Sequence, residues 1–180
     1  LKNIKRANIK IDHMIEVNDH LRKKGRSTKA ELILPLPGES EKTFVNGINN
    51  ILNSNASSLT IYTLMMLNGT EFKNPDFRKK FGYQTKFRIV PLNFGEYNGE
   101  KVFDFEEVGI ATKDMPFDKY ISLRALAVLV ESLHNGKPFY EFFKYARSYK
   151  IEPGSLLKIM YDNINESSSK IQSIMKNFVD

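Results

Sequence analysis

The chain has 180 residues, a length that suits one ordinary domain or slightly more. Hydrophobic residues make up 41% of the chain and aromatic residues 12%, which excludes a disordered tail, a collagen and a coiled coil. The longest apolar run, residues 125–130, is far shorter than the roughly 20 residues that span a membrane. No signal peptide is recognised, so we expect a cytoplasmic protein without a membrane partner.

Charge and cysteine content narrow the function further. Lys and Arg number 27 against 21 Asp and Glu, a net charge of +6 that solubility alone explains, so nucleic acid is not an expected partner. A basic RNA-binding domain stays open as a lesser alternative, and it would show a steep salt dependence of binding. The absence of cysteine excludes disulfides and thiolate-ligated metals within this chain. The histidines lack metal-ligand spacing, so no metal site is expected.

The first part of the chain alternates helical and strand patterns. Apolar spacing after Asp12, a predicted N-cap, indicates a helix. Residues 30–36 predict a strand buried on both faces, Ser40 caps the next helix, and residues 59–67 predict a second strand. This order is typical of a parallel α/β fold. Two strands cannot form an independent parallel sheet, and the sequence starts at Leu1 without a methionine, so we expect a piece of a longer protein.

The sequence changes character after Thr70. Residues 86–90 and 101–111 are rich in β-formers, and Asn98-Gly99 between them predicts a tight turn. Helical patterns follow from Pro116 onward, and the aromatic run at residues 139–145 has a spacing that favours burial in a helix core.

Motifs in the first 75 residues resemble the second half of a radical SAM barrel. LKNIKRAN at residues 1–8 resembles the helix after the fourth strand. ELILPLPGES at 31–40 resembles the fifth-strand motif, usually ILGLPGET, and IYTLMMLNGT at 61–70 resembles the sixth strand. Residues 88–107 are similar, less specifically, to the C-terminal extension of cobalamin-dependent radical SAM proteins.

The resemblance implies a fold and a division of the chain. We expect an α/β protein in which residues 1–75 form the C-terminal half of a partial (β/α) radical SAM barrel. Residues 76–115 then form a β-rich extension, and residues 116–180 form a helical C-terminal region. The expected partner is the missing N-terminal half of the parent protein. An isolated half-barrel exposes a sheet edge, so self-association of the chain is also predicted.

The resemblance also implies which residues contact S-adenosylmethionine (SAM). Arg6 corresponds to an arginine that contacts its carboxylate, and Glu31 corresponds to an acidic residue that accepts hydrogen bonds from the ribose. Pro35, Leu36 and Met65 lie where the strand backbones flank the adenosine. Pro35 replaces the usual glycine, and proline has no backbone donor, so a contact through that amide is excluded.

Simpler interpretations of these positions stay open. The motif at 31–40 also suits a plain strand-to-helix loop, and Arg6 also suits a solvated helix. A carboxylate such as Glu31 in an apolar strand is most often exposed or paired with a cation. Glu106 and Glu107 are adjacent on a predicted strand, so they point to opposite faces and cannot act as an acid–base pair.

For the parent protein, the resemblance implies reductive cleavage of SAM at a [4Fe–4S] cluster, with cobalamin-dependent methyl transfer or a radical rearrangement as the reaction. The family's CxxxCxxC ligands are absent here, so no catalytic residue is assigned and the chain alone is expected to be inactive. The alternative is a non-catalytic binding or scaffold module that kept the half-barrel without the cluster. Cysteines encoded upstream would decide between the two.

Overall fold

The computed structural model describes residues 2–4, 7 and 9–179. It is an α/β structure, as predicted. The α-helices are α1 (Ile11–Lys23), α2 (Glu41–Asn53), α3 (Pro75–Phe81), α4 (Phe117–Leu129), α5 (Tyr140–Ser148), α6 (Pro153–Asp162) and α7 (Ser169–Val179). The strands are β1 (Lys29–Leu34), β2 (Ser58–Thr63), β3 (Gln84–Tyr97) and β4 (Glu100–Ala111). No helix in the described residues is both long and apolar enough to cross a membrane.

Strands β1 and β2 pair in parallel, with Lys29 opposite Ser58 and Leu34 opposite Thr63. The ladder continues past the strand end, where the Leu64 amide donates to the Leu34 carbonyl at 2.8 Å. In this register the backbone groups of even-numbered β1 residues face β2, and those of odd-numbered residues face outward. Among the described residues no further strand lies along that outer edge. The half-barrel therefore remains a prediction beyond this parallel pair.

Side chains take the place of a neighbouring strand on the outer edge of β2. The Asn135 side-chain amide pairs with the backbone of Leu59, accepting from its N–H at 3.0 Å and donating to its carbonyl at 2.9 Å. Arg124 of α4 donates to the Ile61 carbonyl at 2.7 Å. These contacts satisfy buried backbone groups that would otherwise lack partners.

Strands β3 and β4 form a long antiparallel hairpin that joins the end of β2. Its turn is Asn98-Gly99, with φ angles of 53° and 83°, as the sequence predicts. The base of β4 pairs with the segment after β2: the Met66 amide donates to the Glu107 carbonyl, and the Gly109 amide donates to the Leu64 carbonyl. The hairpin therefore begins at the carboxyl end of the parallel pair.

One apolar core joins the parallel strands to the C-terminal helices. It combines Leu34 and Leu59 from the strands, Phe44 and Ile48 from α2, and side chains of α4, α6 and α7. A polar link accompanies this packing, since Asn49 donates to the Ser155 hydroxyl at 2.8 Å and accepts from the Ser155 amide at 3.0 Å.

The structure corrects three local predictions and confirms a fourth. Strand β1 is not buried on both faces, because Lys29 and Glu31 on it are exposed. Asp12 is not the N-cap of the first helix, because Lys10 holds that position without a side-chain cap and Asp12 lies in the first turn. Ser40 is the N-cap of α2, where it exchanges hydrogen bonds with Thr43.

The aromatic run at 139–145 is mostly exposed; Phe143 is buried, whereas Phe142 is 50% exposed and Tyr145 63% exposed. A helix at the surface needs only one apolar stripe to face the core.

Candidate functional site

The carboxyl ends of β1 and β2 form one edge, and three of the five predicted site residues, Pro35, Leu36 and Met65, lie at it. Leu36 and Met65 each lie two residues beyond the end of their strand, so the parallel register places both at this edge. Leu36 is half-buried and Met65 is 41% exposed, next to Val108 of β4. Ligands of open α/β sheets and barrels bind at this kind of edge.

Pro35 forms the turn out of β1. The Leu34–Pro35 peptide is cis, the Pro35 ring is buried, and its carbonyl accepts a hydrogen bond of 3.1 Å from the Tyr83 hydroxyl. Tyr83 lies between α3 and β3, and its ring packs against Phe72 and Phe77. The strand end is therefore held by a residue from the hairpin region.

The loop after Pro35 is held on both sides. Inside the loop, the Glu39 carboxylate accepts from the Leu36 amide at 3.4 Å. From outside, Asn3 donates its side-chain amide to the Pro37 carbonyl at 2.8 Å. Gly38 has a φ of +80°, and a Cβ there would lie 2.7 Å from the Asn3 side-chain nitrogen. Glycine at this position thus permits the turn and the close approach of the N-terminal segment.

Glu39 and Tyr83 give this edge an acid–base character that the sequence did not reveal. Burial raises the pKa of Glu39 to about 7, and the Leu36 N–H opposes that rise. Burial also raises the pKa of Tyr83, and the neighbouring Glu39 charge raises it further. Near neutral pH Tyr83 is a neutral donor, whereas Glu39 is poised to gain or lose a proton. The motif contains Glu39, but its burial depends on residues far along the chain.

A charged cluster fixes the base of the hairpin beside this edge. Glu107 accepts a two-pronged contact from Arg78, both distances 2.8 Å, together with Lys73 at 2.5 Å and the Thr85 hydroxyl at 2.7 Å. Arg78, Lys73 and Thr85 lower the pKa of Glu107 to about 2. Its neighbour Glu106 pairs instead with Arg88. The two carboxylates have separate partners, in agreement with the predicted opposite orientation.

Glu31 lies away from the strand end. It is exposed, three residues before the last residue of β1, which corresponds to about 10 Å along the strand. Its carboxylate is 3.1 Å from the Lys29 ammonium and accepts from the Tyr62 hydroxyl at 3.3 Å. The structure thus finds the exposed, cation-paired arrangement. The predicted ribose contact of Glu31 remains a prediction.

Arg6, the predicted partner of the SAM carboxylate, lies outside the described residues. The structure therefore brings together Pro35, Leu36 and Met65, separates Glu31 from them along β1, and leaves Arg6 without a description.

The residues at this edge fit part of SAM and do not fit an iron–sulfur cluster. The Leu36 and Met65 side chains offer apolar surface at the carboxyl ends of the two strands, which suits an adenine ring. A [4Fe–4S] cluster needs thiolate ligands, and the chain has no cysteine. The described residues also contain no group of three or more His, Asp or Glu residues that could hold a metal ion. None of the described residues is assigned to cobalamin.

Comparison with known proteins gives one relevant similarity. No family model matches the chain. The chain is similar to a cobalamin-dependent radical SAM methyltransferase, TokK, from Streptomyces tokunonensis, with 28% identity over 137 residues. The aligned region covers 76% of this chain and 20% of the relative, so the chain spans about one fifth of that protein's length. The similarity extends well beyond the motifs at residues 31–40 and 61–70.

Proposed function

We propose that this chain is the SAM-binding portion of a cobalamin-dependent radical SAM methyltransferase whose remaining parts lie elsewhere in a longer protein. The observation that carries the proposal is the similarity over 137 residues to a methyltransferase of this kind. The in-register carboxyl edge with Leu36 and Met65 supports it, because that edge suits a nucleoside.

In this proposal the residues of the chain bind and orient SAM. Leu36 and Met65 flank the adenine, and the backbone around Pro35 forms the floor beneath it. Arg6 pairs with the carboxylate of SAM, and Glu31 exchanges its contact with Lys29 for the ribose hydroxyls. The bound cofactors would supply the methyl group and the reducing chemistry, whereas the protein supplies position and electrostatics.

The proposal assigns no catalytic residue to this chain. The cluster ligands must come from a part of the protein that contains cysteines, since this chain has none. We therefore expect the 180-residue chain alone to bind SAM weakly and to leave it intact. The alternative function, a binding or scaffold module without a cluster, predicts that the complete protein also leaves SAM intact.

The test is equilibrium dialysis of labelled SAM with the complete protein encoded by the reading frame that contains this sequence. Leu36→Asp and Met65→Asp place a charge against the adenine and should each weaken SAM binding at least tenfold. Leu92→Asp is the matched control, because Leu92 is 94% exposed on the hairpin. Equal binding by all three variants and the unmodified protein would remove the carboxyl edge from the SAM site.

Glu31 has its own matched pair of variants. Glu31→Ala removes the predicted ribose acceptor and should weaken SAM binding by about tenfold, the effect of losing a charge-assisted hydrogen bond. Lys29→Ala removes the cation that pairs with Glu31 but keeps the Glu31 carboxylate and its contact with the Tyr62 hydroxyl, so it should not weaken SAM binding. If only Lys29→Ala lost affinity for SAM, the Glu31 carboxylate would not contact the ribose, and Lys29 would contribute to binding through the local structure.

A further inference from the structure

One face of the β3–β4 hairpin is apolar and open to solvent. Alternate residues of a strand point to the same side, so Phe103 and Phe105 of β4 lie together with Glu107. Residues directly opposite in an antiparallel ladder share a face, so the partners of these three residues on β3 lie on that side too. We call this surface the aromatic face; its apolar members are Phe87, Ile89, Phe94, Phe103 and Phe105.

The side chains of the aromatic face are largely exposed. Its phenylalanines are between 46% and 70% exposed, and Ile89 is 61% exposed. The ring centroids of Phe94 and Phe103 are 6.2 Å apart, so the patch continues across the two strands. An aromatic side chain has about 150–250 Å² of surface, which leaves roughly 500 Å² of the phenylalanines open. Contiguous apolar patches of this size on soluble proteins often mark interaction sites.

The aromatic face points away from the candidate SAM site. Met65 of that site forms a bridge with Val108 of β4, and Val108 points to the side opposite Glu107. The ion pair between Arg88 and Glu106 also lies on that opposite side. Binding of SAM therefore does not explain the aromatic face, and an interaction through this face does not depend on the proposed function.

Charge argues against a nucleic acid or an anionic membrane as the occupant of this face. Residues 84–111 contain three basic and five acidic residues, whereas both of those partners are bound through clustered Lys and Arg. At the tip of the hairpin Glu96 lies opposite Lys101, and at its base Glu107 is paired with Arg78. Each end of the aromatic face is thus balanced locally, so two identical faces can meet without repulsion between like charges.

The size of the aromatic face suits a second copy of the chain. A stable interface buries about 600–1,000 Å² on each partner. The phenylalanines supply roughly 500 Å² of this, and Ile89 with the polar residues around the patch supplies the rest. Two sheet faces can pack with their side chains interdigitated, and a two-fold axis lets one patch serve on both copies. We propose that the aromatic face pairs with the aromatic face of a second copy, so that the two hairpins form a small sandwich.

The test is sedimentation velocity over a concentration series of the complete protein encoded by the reading frame that contains this sequence. A dimer is expected. Phe94→Asp and Phe105→Asp each place a charge within the interface and should raise the dissociation constant of the dimer at least a hundredfold. This value corresponds to about tenfold for each copy of the substitution, and a two-fold interface contains every substitution twice. Circular dichroism checks that both variants stay folded.

Tyr97→Asp is the matched control. Tyr97 and Phe94 are both 69% exposed, but Tyr97 lies on the other side of the hairpin, where its ring covers Gly95. The control should leave the dimer intact. Dimers that persist in both phenylalanine variants, as association through the outer edge of β1 would, or an equal loss in Tyr97→Asp, would overturn the proposal. A complete protein that is monomeric at every concentration would also overturn it, and would assign the face to another part of the longer chain or to a different partner.

Discussion

Glu39 shows how a single residue in a recognisable motif acquires a property that the motif does not encode. The PGES turn could be recognised from the sequence, and so could the N-cap role of Ser40. The raised pKa of Glu39 could not, because it arises from burial beside Tyr83, 44 positions later in the chain.

The Glu39 carboxyl should make stability fall as pH rises. Its pKa is about 7 in the folded chain and near 4.5 when the group is unperturbed. Between these values the folded state holds more protons, so the free energy of unfolding decreases with pH, by at most about 3 kcal/mol. Glu39→Gln should remove this dependence and be the more stable form at pH 8. Urea unfolding at pH 5 and pH 8 measures it, with exposed Glu16→Gln as the control.

If the free energy of unfolding of Glu39→Gln depends on pH as strongly as that of the unmodified chain, the Glu39 carboxylate is solvated in the folded chain. The same slope in Glu16→Gln and the unmodified chain is required for the comparison to hold.

Glu107 should have the opposite pH signature. Its folded pKa of about 2 lies below the unperturbed 4.5, so its stabilisation is present above pH 4.5 and is lost as pH falls toward 2. Glu107→Gln should cost about 2 kcal/mol at pH 7, because it leaves Arg78 and Lys73 without their shared partner. Urea unfolding measures this difference in the free energy of unfolding between Glu107→Gln and the unmodified chain. The difference should be smaller at pH 3 than at pH 7.

Glu106→Gln is the control for this prediction. Its partner Arg88 is 46% exposed, so the loss should stay below about 1 kcal/mol. Equal losses in the two variants would contradict the special role of Glu107 at the base of the hairpin.

At the scale of elements, local sequence patterns predicted the order of helices and strands. They did not predict which side chains are buried, because that depends on how the elements pack. The helix, strand, helix, strand order of the first part and the Asn98-Gly99 turn follow from apolar spacing and turn chemistry. The exposure of residues 139–145 did not, since spacing alone cannot say which aromatic side of a helix meets the core. The side-chain covering of the β2 edge by Asn135 and Arg124 is likewise invisible in sequence, because it joins residues more than 60 positions apart.

Replacing glycine with alanine inside a helix usually stabilises a protein. At Gly154, where α6 packs closely on α2, the same replacement should destabilise the chain. A Cβ at Gly154 would lie 2.5 Å from Asn49 Oδ1 and 2.9 Å from Ile48 Cγ2. Gly154→Ala should therefore destabilise the chain by about 2 kcal/mol, as overpacking does. Gly47→Ala is the matched control, because its nearest atom is 4.0 Å away, and it should stabilise by about 0.5–1 kcal/mol.

Thermal or urea unfolding of both glycine variants gives the comparison directly. A stabilised Gly154→Ala variant would show that α6 does not pack on α2 as closely as the structure indicates.

At the scale of the whole molecule, we expect two copies of the chain to associate through the outer edge of β1. The described residues place no strand there, so the backbone groups of residues 29, 31 and 33 remain open to another strand. We expect concentration-dependent dimers in sedimentation velocity. Glu31→Pro removes an outward N–H without touching the β1–β2 ladder and should reduce dimer formation, whereas Glu31→Ala keeps that N–H and should not. Purely monomeric behaviour at every concentration would refute association through this edge.

The sequence of this chain predicts part of the candidate site but does not predict the reaction. The motifs at residues 31–40 and 61–70 predicted a nucleoside-binding edge, and Leu36 and Met65 do lie at one edge. The reaction could not be read from this chain, because cluster ligands are absent from it and the similar methyltransferase is about five times as long as the aligned region.

The most direct measurement is SAM consumption by the complete protein encoded by the reading frame that contains this sequence. The protein is reconstituted anaerobically with iron, sulfide and cobalamin and given a strong reductant. We predict that SAM is consumed and that Met65→Asp slows its consumption at limiting SAM, while Leu92→Asp does not. A correctly folded complete protein that lacks a CxxxCxxC segment and leaves SAM intact would contradict the account.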